Sequence, residues 1–129
     1  MENEKKNKIW INEKGIVRIK IVRLVDEKDL SDLLGDVRDI LRGFSDKPKI
    51  LVDIENIEDR ALISSSLFRK KAVLQAKDFI QNVGFKKAAV FGISIEDRTV
   101  ASFVISAIRI KNIKIFTTEE EALKWLKEP

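Results

Sequence analysis

The chain has 129 residues, enough for one domain with a core of its own. Its 25 Lys and Arg against 21 Asp and Glu leave a net charge of +4 with both signs interspersed, and the seven Phe and two Trp fall mostly on apolar positions, a pattern that argues against a nucleic-acid surface. With no Cys and no His, disulfides, thiol chemistry, imidazole catalysis and soft-metal ligation are excluded.

Residues 1–7 are polar and read as a flexible N-terminal tail without the apolar stretch of a signal peptide; residues 8–129 read as one domain. No apolar run approaches the ~18 residues of a membrane span, so a cytoplasmic protein is expected. Ile9-Trp10-Ile11 starts a short strand, Asn12 to Gly15 carries turn chemistry, and Ile16 to Leu24 alternates apolar residues with Arg18, Lys20 and Arg23, which together predict a β-hairpin near a sheet edge. From Asp29 the period changes: Leu30, Leu33, Leu34, Val37, Ile40, Leu41 and Phe44 recur at steps of three and four, predicting a helix capped by Asp29 and ended at Gly43.

Pro48 leads into a buried strand, Lys49 to Ile54. After a polar loop, Ser64-Ser65-Ser66 opens a long helix to about Val83, with Phe68, Ala72, Val73, Ala76, Phe79, Ile80 and Val83 on one face. Leu67 and Leu74 lie on the opposite side among Lys70, Lys71 and Lys77, where a purely structural helix has no need of leucine. The run from Lys86 to Ser94 is apolar on both pleat faces and reads as the central strand of a sheet covered by helices on both sides. A further helix from Ser94 to about Arg109 carries an apolar arc, from Phe103 round to Ile105, of roughly 220°, about twice the stripe one core face needs. Part of that arc, at Phe103 or Ile105, is then left over for self-association or as one wall of a ligand cavity. Ile113 to Phe116 forms the last strand, and Thr118-Glu119-Glu120-Glu121 is a capping box opening a closing helix on Ala122, Leu123, Trp125 and Leu126. The order is ββαβαβαβα, an α/β domain whose five-stranded sheet is mixed but mostly parallel, with helices on both faces.

No acid, base and nucleophile set emerges, so no catalytic residue, cofactor or metal site is assigned and the chain is read as a non-enzyme. Asp26-Glu27, Asp53 and Ser94 resemble a phospho-acceptor pocket only superficially, because Thr117 and Thr118 stand where such a pocket needs a lysine. Glu55, Glu58 and Asp59 read as a solvated acidic loop rather than a hard-cation site.

The element order, the strand Ile50-Leu51-Val52-Asp53-Ile54, the strand Ala88-Ala89-Val90-Phe91-Gly92 and the ending Ile115-Phe116-Thr117-Thr118-Glu119-Glu120-Glu121-Ala122-Leu123-Lys124-Trp125-Leu126 together resemble the SpoIIAA-like branch of the STAS (sulfate transporter and anti-sigma-factor antagonist) proteins, over about residues 9–127. The resemblance implies a regulatory module that binds a protein partner, an anti-sigma factor or kinase-like regulator. It also implies, as the alternative, a carrier of a small apolar ligand or lipid, since the fold is similar to that of Sec14-type carriers. In phosphorylated STAS domains an acceptor serine follows the Asp-ending strand by about nine residues. Here that count from Asp53 reaches Leu62, and the nearest candidate phospho-acceptors are Ser64, Ser65 and Ser66. The partner surface is placed on Leu67, Lys70, Lys71, Leu74 and Lys77, apolar anchors within a basic rim suited to an acidic partner. A homodimer is expected through Phe103 and Ile105.

Overall fold

A computed structural model describes residues 7–22, 27–56, 70, 74, 75, 78, 79, 84–92 and 112–129. Five strands, β1 (Lys8–Ile11), β2 (Val17–Lys20), β3 (Lys49–Asp53), β4 (Lys87–Phe91) and β5 (Ile113–Phe116), form one sheet in the order β1-β2-β3-β4-β5. β1 pairs antiparallel with β2, and the other three pairings are parallel. Two helices are delimited, α1 (Glu27–Leu41) and α2 (Glu119–Lys127).

The hairpin closes because Asn12 organises it locally. Its side-chain Oδ1 accepts the backbone N–H groups of Lys14 and Ile16, both at 2.9 Å, and its carbonyl accepts that of Gly15. Gly15 sits at φ 79, a conformation that residues with a Cβ rarely adopt. β2 is shorter than the sequence pattern suggests, ending at Lys20, although Ile21 still donates its N–H to Asp53 O and Val22 donates to Asn7 Oδ1 at 2.8 Å. Asn7, assigned to the tail by composition, is thus tied to the end of the hairpin.

Strand alternation then sorts the core into two layers. On one face Val17, Ile19, Ile21, Ile50, Ala88 and Ile115 pack with Leu33, Val37 and Leu41 of α1 and with Phe79 and Phe85. On the other, Leu51, Ala89 and Phe91 pack with Ala122 and Leu126 of α2, bordered by Phe116, Leu123 and Trp125. Helices therefore cover both faces, as the doubly apolar strands require. α1 lies on the first face and α2, beyond the last strand, on the second.

α2 is fastened at both ends. Thr118 Oγ1 accepts the N–H of Glu121 at 3.3 Å and donates to the Glu121 carboxylate at 3.1 Å, so the threonine and glutamate of the expected capping box do meet. At the other end Lys87 Nζ donates to the carbonyl of Trp125 (3.0 Å), which also accepts the N–H of the C-cap Glu128, and to that of Glu128 (2.7 Å). Lys87 and Lys114 also lie over the Trp125 ring, 4.7 and 5.5 Å from its centroid.

Three local expectations are corrected. Asp29 is not the N-cap of α1: the helix begins at Glu27, which leaves Asp29 in the first turn, where a carboxylate still complements the helix dipole. Gly43 does not end α1 in a left-handed conformation, since only Gly15 and Gly92 among the described glycines have positive φ. The chain instead leaves through i→i+3 bonds, Gly43 N–H to Ile40 O and Phe44 N–H to Leu41 O. The middle strand is β3, with β4 beside it, because the hairpin adds both its strands on the β3 side.

Candidate functional site

Lys70, Leu74, Gln75, Asp78 and Phe79 have helical backbone and belong to the expected long helix. Phe79 is buried in the α1 layer, while Lys70 and Asp78 are exposed and Leu74 keeps 62% of its surface in solvent. Five residues separate Leu74 from Phe79, about 140° on a helix, so the two project to opposite sides as their spacing demands. Among the described residues the large exposed hydrophobics are Leu74, Trp10 and Ile11.

Leu74 stands at the rim of a groove of about 290 Å³ whose second wall is α1. Ser31, Leu34 and Arg38 line that wall, and Gln75 and Asp78 lie beside Leu74. Their spacing of three and four puts the α1 residues on one stripe of the helix. Arg38 Nε is buried and makes no hydrogen bond. The groove therefore combines an apolar residue at its rim, the neutral polar groups of Ser31 and Gln75, the Asp78 carboxylate and a guanidinium whose Nε is buried. The sequence singled out Leu74 and Lys70 but missed Ser31 and Arg38, because nothing in the periodicity of α1 shows which neighbour its flank meets.

Of the other residues assigned to this surface, Leu67, Lys71 and Lys77 lie outside the described residues, as do the candidate phospho-acceptors Ser64, Ser65 and Ser66 and the self-association pair Phe103 and Ile105.

At the C-terminal ends of the parallel strands, Asp53 Oδ1 accepts the N–H of Glu55 at 2.9 Å, a local turn immediately after β3. Gly92, at φ 96, lies against that turn: a Cβ there would come within 2.6 Å of Glu55 N and 2.8 Å of Glu55 Cα. The glycine is thus required both by backbone conformation and by the closeness of the neighbouring loop. Among the described residues no group of three or more Asp or Glu is placed to hold a metal ion, and no helix is long and apolar enough to cross a membrane.

A second concavity lies within the α1 layer, about 210 Å³ between α1 and the sheet. Its described lining, including Ile19, Leu33, Val37, Val52, Phe85 and Val90, is wholly apolar.

Comparison with known proteins places this architecture. The solved structure of a single-residue variant of RsbS from Moorella thermoacetica is similar over 95% of both chains, with a TM-score of 0.60 at 14% identity, a likeness of fold. No curated protein matches the chain. The SpoIIAA-like family model matches residues 16–127, from the start of β2 to the end of α2, and the chain belongs to the SpoIIAA-like family.

Proposed function

We propose that this chain is a cytoplasmic, non-enzymatic regulatory module that binds a protein partner across the groove between α1 and the helix carrying Leu74. The observation that carries the reading is Leu74 itself, 62% exposed beside a buried Arg38 Nε that makes no hydrogen bond. An exposed leucine bordered by polar groups at a groove offers a partner an apolar contact within a polar rim. Arg38 supplies a charge-assisted donor to a partner carboxylate, and Lys70, with Lys71 and Lys77, each three or four residues from Leu74 in sequence, supplies a basic rim. The partner is accordingly an acidic protein surface, and family membership favours an anti-sigma factor or kinase-like regulator.

The test is the pair Leu67→Ser and Leu74→Ser, made together. The exposed Leu74 should contribute no more than about 0.5 kcal/mol to the change and the double variant should stay folded, while cross-linking to the partner captured from host lysate should be lost. Unfolding by several kcal/mol would mean that the leucines are core and that this surface is not the functional one.

The apolar concavity supports a second reading, a carrier of a small apolar ligand. Its ~210 Å³ falls below the ~300 Å³ at which small-molecule pockets usually begin. The carrier reading therefore ranks behind the partner reading. Native mass spectrometry of protein from its own host separates the two: a retained apolar ligand at one equivalent favours the carrier, and a ligand-free chain favours the partner.

A further inference from the structure

β1 is one of the two terminal strands of the sheet, and among the described residues it lacks the usual protections of an edge. It has one charged residue, Lys8, with no proline and no bulge, and it exposes Trp10 (41%) and Ile11 (51%). Two hydrogen bonds fix which of its backbone groups face away from β2. Asn12 donates its N–H to Ile16 O across the hairpin, so the even residues of β1 point their N–H and C=O groups at β2. Ile21 donates to Asp53 O, so the odd residues of β2 point at β3 and its even residues at β1, the same parity reached independently. The backbone groups of Ile9 and Ile11 therefore face outward, away from the sheet.

We infer that two copies of this chain pair through this edge, antiparallel about a two-fold axis at Trp10. The inference is independent of the partner groove. With Trp10 opposite Trp10 of the second copy, Ile9 falls opposite Ile11 and Lys8 opposite Asn12. Ile9 and Ile11 then form the hydrogen-bonded pairs, on each side of a non-hydrogen-bonded Trp10 pair whose side chains approach closely. The register is self-complementary in charge as well as in parity: no lysine opposes a lysine, apolar residues meet apolar residues, and Lys8 meets a neutral amide. Shifting it by two residues either sets Lys8 against Trp10 or runs Ile9 into the turn at Glu13, and each loses the full overlap of Lys8 to Asn12. On the α1 side, Ile9 borders a groove of about 380 Å³ lined by Leu33 and Ile40 and also by Asn7, Asp29, Asp32 and Asp36, and Ile11 of the second copy is set beside Ile9 at its mouth.

Area sets the strength. Trp10 retains on the order of 100 Å² of exposed surface, and a four-residue strand pair stays below the ~1,200 Å² of a tight specific interface. The dimer is therefore a weak one, forming near ~100 µM rather than at nanomolar concentration.

Sedimentation velocity on the full chain between ~10 µM and ~1 mM should show a rising sedimentation coefficient. Ile11→Pro removes an N–H that faces away from β2, and edge strands tolerate proline at such positions; it should abolish the rise and keep the melting temperature. Ile11→Lys, which leaves the backbone intact, should do the same. Register is read by cysteine. The chain has none of its own, so under mild oxidant Trp10→Cys should cross-link as a disulfide dimer, and Ile9→Cys, opposite Ile11 and too far from its own copy to bridge, should not. A monomer at every concentration, a folded Ile11→Lys protein that dimerises like the parent, or cross-linking at residue 9 as fast as at residue 10 would each overturn the inference.

Discussion

Gly92→Ala should be among the most destabilising small changes in the chain, and the structure lets its cost be separated into two parts. The first is conformational: at φ 96 a residue with a Cβ is forced into a region that costs roughly 1–2 kcal/mol. The second is steric. The new methyl would lie 2.6 Å from the backbone nitrogen of Glu55 and 2.8 Å from its Cα, and these atoms cannot rotate away as a side-chain end could. The Glu55 backbone is held by its bond to Asp53 Oδ1, and the preceding Ile54 donates to Phe91 O, so relief requires the β3 and β4 ends to part. Overpacking of this kind costs about 1–3 kcal/mol, for a total of about 2–5 kcal/mol. Gly15→Ala is the control. It carries a similar strain, at φ 79, but a Cβ there meets nothing within 4 Å, so only the conformational part, about 1–2 kcal/mol, should appear. Urea denaturation of both variants gives the two values on one scale, with an unchanged slope confirming that the same transition is measured. If Gly92→Ala costs no more than Gly15→Ala, the contact between Gly92 and Glu55 does not hold the strand ends together.

Two further outcomes follow from α2. Leu126→Ala should cost about 2–5 kcal/mol, because Leu126 is 1% exposed and packs with Leu51, Ala89 and Phe91; chemical denaturation measures it, and a loss below 1 kcal/mol would show that this face is loosely packed. Thr118→Ala should cost about 1 kcal/mol through the lost cap, with Thr118→Ser restoring most of it in thermal melts, since the serine hydroxyl can accept the same Glu121 N–H.

The parts of the fold that were legible in the sequence are those where local chemistry and tertiary burial agree. β3 and β4 show as short apolar runs because both of their faces are covered, and α1 shows as steps of three and four because Leu33, Val37 and Leu41 meet one layer. Thr118 and Glu121 are three residues apart and needed no distant neighbour to be paired. Strand order was not legible, because every right-handed arrangement of these strands has the same local pattern. The edge position of the hairpin was legible in the alternation of β2, but the apolar run of β1 did not reveal that Trp10 and Ile11 are exposed there; burial of a strand is decided by which strand pairs beside it. Leu74 was legible from its position opposite Phe79, whereas Arg38 entered the site only through the packing of two helices.

The two surfaces argued for here use opposite flanks of α1. Ser31, Leu34 and Arg38 turn toward Leu74, while Asp29, Asp32, Asp36 and Ile40 turn toward Asn7 and Ile9 at the sheet edge. On a helix of 3.6 residues per turn these are distinct stripes, so a partner seated on the first does not cover the second. Two copies joined through β1 would accordingly present two Leu74 grooves on one continuous ten-stranded sheet. A bivalent partner then gains from effective concentration even where the β1 contact alone is weak. The consequence is an asymmetry between variants: Ile11→Lys should reduce binding of a bivalent partner and leave a monovalent one untouched, whereas Leu74→Ser should weaken both.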